Sequence, residues 1–293
     1  MSPLVCIVLV NYNGFHDTVE CIKSLKKISY DNYRIIVVDN GSTVQPDDSE
    51  LLFIKSNSLY IAGGQNLGFS GGNNIGIKHS KEYNPDYYLL LNNDTIVEKD
   101  FLSILVEASI MNVDAGIVCG RINFYDNRDR LWFAGGKIDF RNIATKHCGY
   151  MDFDSEIYHQ NSWVSFATGC LWLVPRGTVE NVGLLNEDYF LYCEDTDYCL
   201  RVLNFGLKIL FVGKSRIYHK ISASTGNGSD LQNYYMMRNS YILAERYSKR
   251  KTYARVYYIL KYIKKVLQKK VMFKTFLEAY TDYYHKRFGE RRK

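Results

Sequence analysis

The sequence predicts an α/β protein built on a mixed, mainly parallel sheet flanked by helices, and two observations carry that reading. Leu4-Val5-Cys6-Ile7-Val8-Leu9-Val10 and Ile35-Ile36-Val37-Val38 are continuously apolar and rich in β-branched residues, as strands buried on both faces must be. Between them Val19, Ile22, Leu25 and Ile28 recur at helical spacing. The opening is therefore a β-α-β unit, whose crossover makes its two strands parallel.

The alternation continues. A short strand is expected near Leu51 to Ile54, a helix from about Ser70, a strand at Tyr87 to Leu91 and a helix from about Lys99 to Met111. The strands end in polar loops, Asn11-Tyr12-Asn13, Asp39-Asn40-Gly41-Ser42 and Asn92-Asn93-Asp94. Ligands of open α/β sheets bind outside the carboxyl ends of strands, so these loops should share one cleft. From about Gly116 to Val174 the helical period gives way to an aromatic, strand-like pattern with Trp132, Trp163 and Trp172. This mixed-sheet region is expected to complete the floor of the cleft and to meet an acceptor. Beyond about Asn233 the chain turns helical, basic and tyrosine-rich, with Val256, Leu260, Ile263 and Leu267 on one stripe and Lys261, Lys264, Lys265 and Lys269 off it.

Charge divides the chain in the same place. Residues 231–293 carry 17 Lys+Arg against 4 Asp+Glu, while residues 1–230 carry 20 against 27. The expected organisation is an acidic catalytic body over 1–230 and a basic helical extension over 231–293. Seven cysteines, without a C-x-x-C pair, offer neither a disulfide framework nor a zinc-ribbon pattern and suit a reducing cytosol. Leu4 follows the N-terminus without a basic leader, and no apolar run reaches the roughly 18 residues that span a bilayer. A cytoplasmic protein is expected, with the N-x-S/T matches at Asn40, Asn93 and Asn227 arising by chance.

Chemistry concentrates in Glu194-Asp195-Thr196-Asp197, three carboxylates within four residues, followed by Arg201. Such crowding shifts each group's titration and suits a cation or a reaction. A helix start also accounts for it, with acids at the positive end of the dipole and Asp197 paired to Arg201 four residues on. Asp94, at the mouth of a buried strand, has the chemistry to hold a hard divalent cation, or simply to make a turn. Gly63 to Gly76 contains six glycines in fourteen residues, a loop for backbone approach to a ligand or a tight turn, and matches neither dinucleotide nor ATPase signatures. His219 follows the apolar run Ile209 to Val212 and is a competent ligand for Mn²⁺-like ions.

Taken in order, Val10-Asn11-Tyr12-Asn13, Val38-Asp39-Asn40-Gly41-Ser42, Asn66-Leu67-Gly68-Phe69-Ser70-Gly71-Gly72-Asn73, Asn92-Asn93-Asp94, Glu194-Asp195-x-Asp197 with Arg201, and His219 resemble the inverting family 2 glycosyltransferases. The resemblance is to the rhamnosyltransferase-like and galactofuranosyltransferase-like branch and covers about residues 3–240. It implies a GT-A fold, the Rossmann-like fold of nucleotide-diphospho-sugar transferases. It also implies Asp195 as general base, with Glu194, Asp197 and Arg201 in support. Asn11, Tyr12, Asn13, Asp39, Asn66, Gly68, Asn73 and Asn93 would contact the donor. Asp94 and His219 would hold Mg²⁺ or Mn²⁺; Asp94 stands for the last Asp of the family's D-x-D, and Asn92 replaces the first. Tyr234-Tyr235-x-x-Arg238-Asn239 is similar to the branch's terminal motif and implies Arg238 near the phosphates.

The expected reaction moves a sugar, dTDP-rhamnose or a UDP-sugar being the donor, to a glycan acceptor carried on a polyprenyl diphosphate. A sugar nucleotidyltransferase fits less well, because no Gly-rich, Arg/Lys-bearing phosphate loop follows the first strand; a non-catalytic glycan-binding protein on the same fold is the other alternative. The basic amphipathic tail is expected to bind an anionic membrane surface at the inner face of the plasma membrane, apart from nucleotide binding. A helical subdomain packed on the core competes with that reading, and no nucleic-acid partner is expected.

Overall fold

The computed structural model of the protein describes residues 2–220 and 229–291; Asn227 lies outside them. Its first half alternates strands and helices: β1 (Val5–Asn11), α1 (Phe15–Leu25), β2 (Tyr33–Asp39), α2 (Asp48–Asn57), β3 (Leu59–Ala62), α3 (Gly68–Ser80), β4 (Tyr87–Asn92), β5 (Thr95–Val97) and α4 (Phe101–Met111). The β-rich middle holds β6 (Ala115–Phe124), β7 (Leu131–Phe133), β8 (Gly136–Asp139), β9 (Ala144–His147), β10 (Ser162–Val164) and β11 (Leu171–Pro175). It is followed by α5 (Arg176–Val182), α6 (Glu194–Asn204) and β12 (Lys208–His219), and then by α7 (Asp230–Tyr247), α8 (Lys251–Leu267) and α9 (Phe273–Tyr284).

The main sheet runs β10-β12-β6-β11-β4-β1-β2-β3, with β5 added to β12 and β7 to β6. β3, β2, β1 and β4 are mutually parallel, as helical crossovers require. β11 lies antiparallel to β4 and β6, which makes the sheet mixed. Strands β1, β2 and β4 are solidly buried, in keeping with their unbroken apolar runs. The chain leaves β1 for β2 on one side and returns to β4 on the other, so the carboxyl ends of β1 and β4 flank a crevice.

Leu51 to Ile54 form part of α2, not a strand. Asp47 caps that helix, accepting from the Ser49 amide at 2.7 Å, and Glu50 closes a capping box. Asp-x-x-Glu before a short apolar run is a helix-start signal that overrides β-branching in so brief a run, and the strand follows as β3.

The glycines of α3 act in packing. A Cβ at Gly76 would lie 2.2 Å from Val8 Cγ1, so this helix sits closer to β1 than a side chain permits. Gly68 adopts φ +69°, and a Cβ there would lie 2.0 Å from the Phe190 carbonyl oxygen, which accepts the Phe69 amide at 2.9 Å. The start of α3 is thereby docked on the chain just before α6.

The composition change near residue 231 is not a break in packing. Tyr234, Tyr235, Met237, Tyr241, Ile242 and Leu243 of α7 belong to the same core as the sheet. Replacing Gly68 by Ala should cost about 3 kcal/mol, from the left-handed backbone plus overpacking against Phe190. Denaturant unfolding checks this, and an unchanged midpoint would show that α3 does not need the close approach.

Candidate active site

The crevice at the ends of β1 and β4 opens into a cavity of about 650 Å³, lined among others by Tyr12, Asn40, Asn66, Gly68, Phe69, Asn73, Asn93 and Asp94. Behind this lining the polar loops are cross-tied. Asn11, fully buried, donates to Asp39 Oδ1 at 3.3 Å and to Ser42 Oγ at 3.2 Å, while its own oxygen accepts from the Gly14 amide and Thr18 Oγ1. Asn13, at φ 58°, accepts the amides of Thr43 and Val44. Asn40 clasps the next loop, donating to Asn66 Oδ1 and the Gly68 carbonyl and accepting the Leu67 amide, each at 3.0 Å. Asn11, Asn13 and Asp39 therefore shape the cleft, whereas Tyr12, Asn66, Gly68, Asn73 and Asn93 face it. Asn40 lies inside a motif legible in the sequence; its part in tying two loops together is visible only in three dimensions.

Strand register makes the next pairing. β5 runs antiparallel to β12 with Thr95 opposite His219, and the Lys220 amide donates to the Asp94 carbonyl at 2.9 Å. His219 Nε2 and Asp94 Oδ1 thus meet at 3.1 Å, largely out of solvent. Burial depresses the imidazole, but the Cys170 sulfur and the Asp94 carboxylate outweigh it and hold His219 well above its ordinary value. Trp132, from β7, packs edge-on against the imidazole with ring centres 4.7 Å apart.

α6 carries the carboxylates. Two non-glycine residues in left-handed conformation, Tyr192 at φ 65° and Cys193 at φ 72°, turn the chain into this helix. Such backbone costs about 1–3 kcal/mol per residue and persists where its surroundings impose it. They do: Asn239 of α7 donates to the carbonyls of Leu191 and Tyr192 at 2.8 and 2.7 Å. Asp197, fully buried, accepts Arg201 Nε at 2.9 Å and the Tyr247 hydroxyl of α7 at 2.7 Å. Arg201 also donates to the carbonyls of Val182 and Leu184, so the expected i,i+4 pair is a brace across three elements.

Asp195 makes no ion pair of this kind among the described residues and accepts from the Thr196 amide at 2.7 Å and the Thr196 hydroxyl at 3.2 Å. Burial pushes its carboxyl up to about 6, against hydrogen bonds from Thr196 and the Gly169 amide that lower it. Burial and the Asp195 and Asp197 carboxylates drive Glu194 well above the ordinary carboxylate range. Gly169 is the hinge of the arrangement: its amide reaches Asp195, and its neighbour Cys170 lies against His219 and Asp94. Two adjacent residues thus link the two groups, Gly169 touching Asp195 and Cys170 touching the Asp94–His219 pair; of these side chains Asp94 lines the cavity, and Asp195 and His219 lie behind it.

Arg238, expected near the phosphates, does not line the cavity. Its side chain is fully buried, and its guanidinium donates to Asn239 Oδ1 and to the carbonyls of Gly289 and Asp188. The basic residues that line the cavity are Lys274 and Arg291, with Glu278 and Glu290 beside them. The tail, expected to act apart from nucleotide binding, contributes Lys274, Glu278, Glu290 and Arg291 to the cavity wall. Its basic composition marked it as separate, and only its packing shows where it lies.

The family model "Glycosyl transferase family 2" matches residues 6–183. The chain belongs to glycosyltransferase family 2. Relatives of this transferase include "dTDP-rhamnosyl transferase RfbF" of Shigella flexneri, 24% identical over 257 residues that make up 84% of this chain and 81% of that one. "Rhamnosyltransferase WbbL" of Escherichia coli is 25% identical, covering 74% of this chain and 83% of its own. Among solved structures, GalNAc-T7 with UDP, GalNAc and Mn²⁺ superposes with a TM-score of 0.66 at 15% identity, over 86% of this chain and about half (49%) of its own length. The mannosyltransferase PcManGT from Pyrobaculum calidifontis, with GDP-Man and Mn²⁺, gives 0.59 at 14%, over 85% of this chain and 66% of that one. These likenesses establish the GT-A fold. No helix among the described residues is long and apolar enough to cross a membrane.

Asn239→Ala leaves two carbonyls of the turn into α6 without their donor, a loss of about 1–3 kcal/mol. The expected result is a lower unfolding midpoint together with faster amide exchange at residues 191–195. Exchange unchanged there would mean that the turn holds itself.

Proposed function

We propose that the chain is an inverting glycosyltransferase that moves a sugar from a nucleoside-diphosphate donor, dTDP-rhamnose first among them, to a hydroxyl of a glycan acceptor. The acceptor is lipid-linked, at the cytoplasmic face of the membrane, and the product serves cell-surface polysaccharide synthesis. The observation that carries the reaction is the Gly169-Cys170 junction, whose first residue contacts Asp195, a carboxyl raised by burial to about 6, and whose second contacts the Asp94–His219 pair, with Asp94 lining the donor-sized cavity. The rhamnosyl donor is supported by the names of two relatives.

In this reading Tyr12, Asn40, Asn66 and Asn73 hold the nucleoside, and Lys274 and Arg291 offer positive charge to the diphosphate in the place assigned to Arg238. Asp94 Oδ1 and His219 Nε2, 3.1 Å apart, would hold Mn²⁺ or Mg²⁺ only as the imidazole gives up the proton it shares with Asp94, so binding of the ion would release a proton. Among the described residues there is no cluster of three or more metal-type side chains. When bound, the cation supplies positive charge where the leaving diphosphate gains negative charge. Asp195 accepts the proton of the acceptor hydroxyl as that oxygen attacks the anomeric carbon from the face opposite the diphosphate. The carbon–oxygen bond to phosphate breaks, and the configuration inverts. Burial and the neighbouring carboxylates push Glu194 above the ordinary carboxylate range, further than Asp195, and Asp195 is the base in this reading.

Asp195→Asn should lower kcat by about 10² to 10⁴ while donor KM stays near wild type. In wild type the base works deprotonated, so kcat/KM should rise with pH through about 6. A pH–rate profile without that limb, or full activity of Asp195→Asn with dTDP- and UDP-sugars, would overturn the assignment. The metal pair has its own readout: in Mn²⁺ titrations followed by electron paramagnetic resonance with dTDP present, His219→Ala should bind the ion more weakly. Equal affinity would remove His219 from the ligand set.

A further inference from the structure

α8 has two apolar faces, and it buries the unexpected one. Ala254, Tyr258 and Tyr262 are packed into the core. At about 100° per residue the stripe of Val256, Leu260, Ile263 and Leu267 falls on the opposite side, and it is exposed, Leu260 at 61% and Leu267 at 78%. A helix that merely covers a core turns its aliphatic residues inward. The exposed apolar surface continues along the chain through Met272 and Phe273 at the start of α9, with Lys269 and Lys270 exposed between them. Lys274, the next residue, lines the donor cavity, as does the partly exposed Leu231.

Charge identifies the occupant. Residues 251–277 contain seven lysines, one arginine and no Asp or Glu. A second copy of the chain packed on this face by two-fold symmetry would set those cations against their own equivalents. A single-stranded nucleic acid would use aromatic platforms for stacking, whereas this stripe is aliphatic. Lys261 and Lys265 lie over the Tyr258 and Tyr262 rings on the inward side, but Lys264, Lys269 and Lys270 are exposed beside the stripe and Lys274 follows it. Aliphatic side chains with lysines at their edge match the interface of a bilayer with anionic headgroups. We propose that the outward face of α8 and the α8–α9 corner dock this transferase on an anionic lipid bilayer and hold the mouth of the donor cavity at that surface. The benefit to catalysis rests on the lipid-linked acceptor proposed above; the docking itself does not.

The test is flotation of the full chain with vesicles of equal parts phosphatidylglycerol and phosphatidylcholine, and with phosphatidylcholine alone, using wild type and the Leu260→Glu/Leu267→Glu double variant. Both positions are exposed, so folding should survive, and circular dichroism confirms it. The expected results are binding to the anionic vesicles only, weakened by salt, and a partition coefficient at least about tenfold lower in the double variant. Equal flotation of variant and wild type, or equal binding to both vesicle types, overturns the proposal. So does light scattering that shows a wild-type dimer converted to monomer by the double variant, which would make the stripe a self-association surface. No donor enters this assay, so its outcome is independent of the transfer reading: a protein that floats as expected but turns over no donor in the separate activity measurements would refute that reading and leave the docking face intact.

Discussion

The catalytic end of the molecule depends on two hydrogen bonds made by one buried amide. Asn239 holds the carbonyls of Leu191 and Tyr192, and with them the strained turn from which α6 starts. Without that clasp, Tyr192 and Cys193 have every reason to leave left-handed backbone, and the carboxylates of α6 would lose their aim. Arg238, beside it, ties α7 to Asp188 and to the chain's last turn through Gly289, and Tyr247 completes the set on Asp197. α7 is accordingly the back wall of the active site. The chain past residue 230 continues the catalytic fold before it becomes anything else.

The two halves of the sheet meet by register. The parallel half ends its strands in the asparagine-rich loops that shape the nucleotide cavity. The mixed half brings β12 beside β5, which sets His219 against Asp94, and leads into β11 through Gly169 and Cys170, which touch Asp195 on one side and the His219–Asp94 pair on the other. Electrostatics then separates three crowded acids into different roles. Asp197 is neutralised by Arg201, Glu194 is forced toward its protonated form, and Asp195 is poised near 6.

Much of this was legible in the residues. Buried parallel strands announce themselves as unbroken apolar runs, polar strand ends mark a cleft, and Asp197 with Arg201 is a pairing that helical spacing alone predicts. What escaped depended on contacts between distant parts of the chain. Leu51 to Ile54 read as strand because a short apolar run has no period of its own, although Asp47 and Glu50 were a readable cap. The burial of Arg238 among the carbonyls of Asp188 and Gly289, behind the cavity lining, leaves no local trace in the sequence. The converse holds for Lys274 and Arg291: nothing in a basic tail says that it folds back over the cleft.

The account turns on a single displacement directed by Asp195, and the stereochemistry of the product is its most direct measure. Nuclear magnetic resonance of the glycoside formed from a panel of dTDP- and UDP-sugars, read at the anomeric proton, should show inversion relative to the donor, with nucleoside diphosphate as the co-product. Retained configuration, or release of pyrophosphate in place of nucleoside diphosphate, would contradict it.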